Sequence, residues 1–326
     1  MKAVVCDRYG PPEVLRLAEV AKPVPKDDEV LIKVHAATVT AGDCEVRAFK
    51  LPGWIWLPAR VAFGITKPRQ PILGAEVAGE VEARGAAVTN FVVGDRVFAT
   101  TGFGLGAYAE YKCMRAGGAI VSIPPNVSYG EAAGIPTGGL NALHFVRKSA
   151  VKAGETVLIN GAGGSIGTFA VQLAKRIGAE VTAVDRADKL EMLRSIGADH
   201  VIDYQREDFT SRGARYDVII DVVGKSPFAA SVAALTESGR YFLGNPRAGQ
   251  MLRGLWTSRR GRKKVFFQLA GESRDDLAHL AELVSTGAIK VVIDRTFPLD
   301  QMVEAHRYVE AGYKKGVVVI AVADGV

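Results

Sequence analysis

The sequence predicts an α/β protein: a β-rich domain, interrupted in the chain, flanks a doubly wound parallel sheet. Three observations predict this. Before about residue 124, apolar residues alternate in short runs bounded by glycine, as in EVLIKVHAATV with Val30, Ile32, Val34 and Ala36. From about residue 125, strand-like and helix-like segments take turns, which calls for parallel strands joined by covering crossovers. After about residue 265 the chain returns to short strands and closes on KGVVVIAV, a run suited to pairing with the N-terminal strands. The expected limits are 1–124 with 267–326 for the β-rich domain and 125–266 for the parallel-sheet domain.

The elements follow in order. GAEVAGEVEARG and GAYAEYKC read as glycine-bounded strands, and helical periodicity is scarce in this part. FKLPGWIWLPARVAFGI, residues 49–65, carries more aromatic and aliphatic surface than a loop needs. ETVLIN is a strand, and Ile166, Phe169, Ala170, Leu173, Ala174 and Ile177 then recur at the spacing of one helix face. EVTAVD, a helix through Leu190 and Leu193, DHVIDY, YDVIIDVVG, a helix near Phe228 to Leu235 and GRYFLG complete the alternation. The closing part reads as the strand KVFFQLAG, the amphipathic helix RDDLAHLAELVSTG, a short strand, the helix LDQMVEAHRYVEAG and the final strand.

Composition narrows the classes. With 326 residues, 48% of them hydrophobic, the chain can bury two ordinary cores. No stretch approaches the ~20 apolar residues of a membrane span, and the apolar run in MKAVVCDRYGPPEV is short for a secretory signal, so a cytoplasmic protein is expected. Cys6, Cys44 and Cys113 are scattered and odd in number, which fits reduced core thiols rather than a disulfide framework. A net charge of +6 is mild, and basic residues crowd only between Arg247 and Lys264. That segment is read as a solvated loop; without a recognised nucleic-acid module beside it, no nucleic-acid partner is expected.

The most informative stretch is VLINGAGGSIGTFAVQLAK, residues 157–175. Counted from Ala162 it has the spacing A-x-G-x-x-G, with Ala162, Gly164 and Gly167 at the key positions. The first allows a tight turn, the second lets backbone approach a pyrophosphate, and the third lets helix and strand pack closely. The whole turn, Ala162, Gly163, Gly164, Ser165, Ile166 and Gly167, is therefore expected to cradle a dinucleotide at a helix N-terminus. Asp185 ends the next strand and can accept hydrogen bonds from the adenosine ribose. Its carboxylate and that of Asp188 would repel a 2′-phosphate, whereas Arg186 could accept one, so the reading favours NAD(H) while leaving NADP(H) open. Val223, Gly244 and Asn245, just after later strands, complete the expected lining.

These segments, with PILGAEVAGEVEARGAAVTNFVVGDRVF, GADHVIDY and AHRYVEAGYKKGVVVIAV, resemble the medium-chain dehydrogenase/reductase superfamily, in its zinc-free quinone oxidoreductase-like branch. The resemblance spans essentially the whole length. It implies a GroES-like catalytic domain beside a Rossmann domain, with the active site in the cleft between them, and a homodimer formed through edge strands of the nucleotide domains. Where zinc-dependent members place metal ligands, this chain has Thr40, Ala75 and Thr137, none with a thiolate or imidazole, so no zinc is expected.

Without a Lewis acid, hydride addition to an electron-poor acceptor is easier than alcohol oxidation. The resemblance accordingly implies reduction of a quinone or an α,β-unsaturated carbonyl compound, a small hydrophobic electrophile. Thr40 and Thr137 are candidates to donate hydrogen bonds to the enolate oxygen, and Asp43 to orient the loop or relay a proton. Trp54, Trp56 and Phe63 are candidate walls of an apolar substrate pocket, with core filling or a dimer contact as the other reading. Tyr108 and the five histidines are read as packing or surface residues. A zinc-free alcohol or aldehyde dehydrogenase and a non-catalytic nucleotide-binding regulator remain the alternatives.

Overall fold

The computed structural model describes residues 1–268 and 270–323. The chain opens with strands β1 (Lys2–Cys6), β2 (Leu15–Glu19) and β3 (Glu29–Thr38), helices α1 (Ala41–Ala48) and α2 (Gly53–Phe63), and strands β4 (Glu76–Arg84), β5 (Arg96–Thr100), β6 (Tyr111–Arg115) and β7 (Ile120–Ser122). Helices α3 (Tyr129–Gly134) and α4 (Pro136–Lys148) lead into β8 (Thr156–Asn160), α5 (Ser165–Ile177), β9 (Glu180–Asp185), α6 (Leu190–Ser195), β10 (His200–Asp203) and β11 (Tyr216–Asp221). Then come α7 (Phe228–Ala233), β12 (Leu235–Leu243), α8 (Ala248–Arg260), β13 (Lys264–Phe266), α9 (Arg274–Ser285), β14 (Ile293–Pro298), α10 (Met302–Glu310) and β15 (Val317–Ala321).

Two compact units result: Met1–Thr137 with Glu272–Gly287 and the stretch from Ile293 on, and Gly138–Gly271 with Ala288–Val292. In the first, the GroES-like unit, a sheet runs β14-β15-β3-β4-β5-β7, and β6 also pairs with β3. The closing strand β15 lies antiparallel to β3, with Ile320 opposite Ala37. Ile32, Val34, Val77, Val81 and Val97 are buried among these strands, as period-two patterning requires. Two helices depart from the sequence reading: Thr40 and Asp43 form a capping box that starts α1, and α2 follows Pro52.

The second unit is a six-stranded sheet in the order β10-β9-β8-β11-β12-β13 with every pairing parallel. This is the doubly wound order 3-2-1-4-5-6, whose direction of winding reverses between β8 and β11. The KVFFQLAG run pairs in parallel with β12, so its Lys264–Phe266 part extends this sheet rather than belonging to the closing β-run. The segment expected to be a basic loop is the helix α8. Among the described residues, no helix is long and apolar enough to cross a membrane.

Candidate active site

In the parallel-sheet unit the glycine turn sits at the carboxyl end of β8, beside the point where strand order reverses, which is where open α/β sheets bind ligands. Gly161 has φ 81°, and a Cβ there would strike the Val223 side chain, so the turn admits only glycine at this place. Ala162 is buried and its N–H donates to the Val184 carbonyl, which presses the turn against β9. A Cβ on Gly167 would lie 2.5 Å from Ala162 Cα, so the missing side chain is what lets α5 pack against the strand end. Helix α5 starts at Gly164 with no side-chain cap, leaving its positive end for an anionic group rather than a protein hydroxyl. Ser165 and Ile166 form its first turn.

Asp185 is buried at the end of β9. It accepts the Gly163 N–H at 2.7 Å and the Arg186 N–H at 2.9 Å, and Lys189 Nζ lies 3.3 Å from its second oxygen. Lys189, which sequence reasoning missed, is itself buried, so the carboxylate is both an anchor for the turn and half of a buried ion pair. Arg186 turns to Asp188, with Nε donating at 3.1 Å. Lys189 follows Asp185 by four residues, across the short turn that ends β9.

Asp221, also unassigned from sequence, organises the reversal point. One oxygen accepts from Asn160 Nδ2 at 2.9 Å, from the Val223 N–H at 3.2 Å and from the Gly224 N–H at 2.8 Å. The other accepts the Tyr241 hydroxyl at 2.9 Å. Gly244 closes the set by donating its N–H to the Asp221 carbonyl, and Asn245 follows it. Turn, anchored carboxylate and loop ends thus bring together the dinucleotide candidates of this unit, and together they fit that ligand: a close backbone approach, an open helix N-terminus and an acid at the end of β9. Residues 162–167 would face its phosphates and Asp185 its adenosine ribose.

In the GroES-like unit, Thr40, Asp43 and Thr137 gather with a residue not foreseen, Glu76. Asp43 Oδ2 accepts both the Thr40 N–H at 2.8 Å and the Thr40 hydroxyl at 2.6 Å, while Thr40 Oγ1 accepts the Asp43 N–H at 3.1 Å. The Thr40 hydroxyl hydrogen is thereby committed to Asp43; donation elsewhere would require an exchange. Glu76 is buried at the start of β4, where it accepts the Thr38 hydroxyl and, at 2.5 Å, the Thr137 N–H. Burial pushes Glu76 up to about 7; the Thr38 and Thr137 hydrogen bonds pull it down, and the Asp43 charge adds to the rise. Burial also raises Asp43 above the ordinary carboxylate range, against the Thr40 hydrogen bonds. Glu76 had a visible signal, a lone acid inside the apolar run ILGAEVAG.

Tyr108 is fully buried, and its hydroxyl lies toward the Asp43 carboxylate. Its ring stands edge-on to His306 at 5.8 Å, and burial, with the Asp43 charge, raises its pKa well above that of an ordinary phenol. His306 is held at Nδ1 by Arg47 at 3.2 Å and Cys44 at 3.3 Å, and burial lowers its pKa to about 3, so it stays neutral at ordinary pH. Trp54 and Trp56 are half exposed on α2. Phe63, at the helix end, lies 5.9 Å from the exposed Phe103, while Trp56 meets Phe49 at 6.0 Å with Arg60 stacked over both rings. The three aromatic candidates therefore belong to one helix, but Trp56 and Phe63 join two different aromatic groups. Among the described residues, no group of three or more His, Cys, Asp or Glu is placed to hold a metal ion.

A doubly wound sheet with a dinucleotide turn, joined in one chain to a GroES-like unit, defines a pyridine-nucleotide oxidoreductase. Family patterns agree: the alcohol dehydrogenase GroES-like domain matches residues 26–125, the alanine dehydrogenase/PNT C-terminal domain residues 142–227, and the zinc-binding dehydrogenase family residues 196–320. A chloroplastic quinone-oxidoreductase homolog of Spinacia oleracea is 30% identical, with 98% of each chain covered. The chloroplastic NADPH-dependent alkenal/one oxidoreductase of Arabidopsis thaliana is 31% identical over 98% of this chain and 79% of its own. The solved quinone oxidoreductase of Coxiella burnetii superposes with a TM-score of 0.88 at 31% identity, covering 99% of both chains. The chain belongs to the medium-chain dehydrogenase/reductase superfamily, in its quinone-oxidoreductase-like branch.

Proposed function

We propose that this protein transfers hydride from a reduced nicotinamide dinucleotide to a quinone or an α,β-unsaturated carbonyl compound, without zinc. The observation that carries the reading is the donor set: at the positions that the superfamily resemblance matches to metal ligands the chain has Thr40, Ala75 and Thr137, whose side chains cannot form a three-ligand site. Bound NAD(P)H would supply the hydride. The chain's own part is to hold the dinucleotide at residues 162–167, Asp185, Val223, Gly244 and Asn245, and to receive charge developing on the acceptor oxygen. Thr137 and Thr40 are proposed donors to that oxygen. Asp43 and Glu76 hold their positions, and burial pushes the Glu76 carboxyl up to about 7. Trp54, Trp56 and Phe63 are proposed to favour an apolar acceptor. Asp185 favours NAD(H) because it is acidic, and NADP(H) binding would place the 2′-phosphate beside that carboxylate.

The test is a steady-state screen of NADH and NADPH oxidation against quinones, enals and enones, with and without a chelator. Chelator-insensitive turnover with a quinone or an enone supports the proposal. Alcohol-dependent NAD reduction as the only activity, or tight NADH binding with no turnover on any acceptor, rejects it. Sedimentation of the same preparation tests the proposed homodimer.

A further inference from the structure

Helix α8 and the residues after it present a face that the oxidoreductase reading does not use. Residues 238–271 contain no Asp or Glu, while Arg253, Arg259, Arg260, Arg262, Lys263 and Lys264 fall within them. The inner side of the helix is fixed: a Cβ on Gly254 would lie 2.8 Å from Val265 Cγ1, so α8 lies close on β13. Its outer side is unusual for a cationic helix, because Leu252 is 70% exposed, Trp256 57% and Leu255 47%. At 3.6 residues per turn these three and Arg259 share an arc of about 100°, with Arg253 and Arg260 along one flank. Arg260 stacks on Trp256 at 4.2 Å, and neither it, Arg253 nor Arg259 has an acidic partner among the described residues. Of the nearby basic groups, Lys263 and Lys264 donate to the Val232 and Ser258 carbonyls, and Arg262 approaches Glu237 at 3.8 Å.

We infer that this face of α8 docks on an anionic lipid surface, with Leu252, Leu255 and Trp256 entering the interface and the arginines meeting the headgroups. An amphipathic helix with a Leu/Trp stripe and arginines whose stems can reach along it has the chemistry of an interfacial helix. A second copy of the chain fits less well, because a two-fold contact on this face would set Arg253, Arg259 and Arg260 against their own counterparts. A nucleic acid backbone would satisfy the arginines and leave the apolar stripe in water.

The experiment is co-sedimentation of the full chain with vesicles of phosphatidylcholine alone or of phosphatidylcholine with phosphatidylglycerol, at low and high salt. Trp256 emission is followed in a Trp54→Phe, Trp56→Phe background. Binding at least tenfold stronger to the anionic vesicles, weakened by salt and accompanied by a blue shift of Trp256, is expected. Two variants, Leu252→Ser with Trp256→Ser, and Arg253→Gln with Arg259→Gln and Arg260→Gln, should each lose at least tenfold in partitioning with unchanged thermal stability. A control that neutralises Lys26, Arg115 and Arg206, all exposed elsewhere, should keep most of the binding.

The inference fails if neutral and anionic vesicles bind alike, if the control loses as much as the arginine variant, or if the Leu252/Trp256 variant binds as wild type does. An unmoved Trp256 emission also overturns it in favour of a soluble acidic partner. A shift from dimer to monomer in the Leu252/Trp256 variant overturns it in favour of a contact between copies.

Discussion

Replacing Glu76 with Gln should flatten a pH-dependent loss of stability built into the GroES-like unit. Glu76 is buried between Thr38 and the start of α4, and burial raises its pKa from an ordinary 4.5 to about 7. Its folded form therefore binds a proton more tightly than its unfolded form. The associated stability is fully present below about pH 4.5 and is lost as pH rises to about 7. At about 1.4 kcal/mol per pKa unit, the difference comes to about 3 kcal/mol. Glutamine imitates the protonated acid: its carbonyl can accept the Thr137 N–H and its amide can donate to Thr38 Oγ1. Melting of ligand-free wild type and Glu76→Gln across pH 4.5 to 8.5 should give curves that converge at the acid end. At the alkaline end the variant should melt higher by roughly 6–12 °C if the unit unfolds cooperatively. Parallel curves would refute the reasoning, because they would mean that Glu76 ionises in the fold as easily as in water.

Other perturbations separate structural from chemical roles. Gly167→Ala places a methyl against Ala162 backbone, so α5 must move off β8; a loss of about 2–3 kcal/mol in chemical denaturation and at least tenfold weaker NADH binding by calorimetry are expected. Thr40→Ala removes the cap of α1 at a cost of about 1 kcal/mol and the proposed donor with it, while Thr40→Ser keeps both; serine should restore stability and kcat together, and a kcat that alanine leaves unchanged would argue that Thr40 does not touch the acceptor. Asp185→Ser should shift the ratio of NADH to NADPH affinity at least tenfold toward NADPH, since it removes the carboxylate that would repel a 2′-phosphate and frees Lys189 from its ion pair, and an unchanged ratio in paired titrations would sink the charge argument.

Much of this architecture was legible because period and punctuation agreed. EVTAVD, YDVIIDVVG and the three-and-four spacing after Gly164 give the strands and the helix, although α5 is buried continuously from Gly167 to Ala174 while Ile177 at its end is exposed. Where local pattern and tertiary need part company, the reading missed. Segment 53–63 has apolar residues on every side, so no helical stripe stands out, and its helix is recognisable only from the structure. The basic residues of 247–264 suggested a solvated loop, yet Gly254 against Val265 and Phe267 shows the packing that holds a helix there. KVFFQLAG has the composition of a strand in either sheet, and only its parallel pairing with β12 decides between them.

The candidate site teaches a sharper lesson, because its acids, two of which the sequence reading passed over, work first through backbone hydrogen bonds. Asp185 accepts the Gly163 N–H, Asp221 those of Val223 and Gly224, Glu76 that of Thr137, and Asp43 that of Thr40. Each carboxylate thus satisfies donors where a strand or helix ends, and a buried donor left unpaired costs about 1–3 kcal/mol. Such a role leaves no trace in residue spacing, since the partner atom is present in every residue type but proline. It also makes Asp185→Asn more informative than Asp185→Ser about the turn. Asparagine can still accept the Gly163 N–H while giving up the charge that pairs with Lys189, so it should keep the shape of the turn and change cofactor preference. If it instead abolishes binding of both dinucleotides, the ion pair with Lys189, rather than the hydrogen bond to Gly163, is what holds the turn in place.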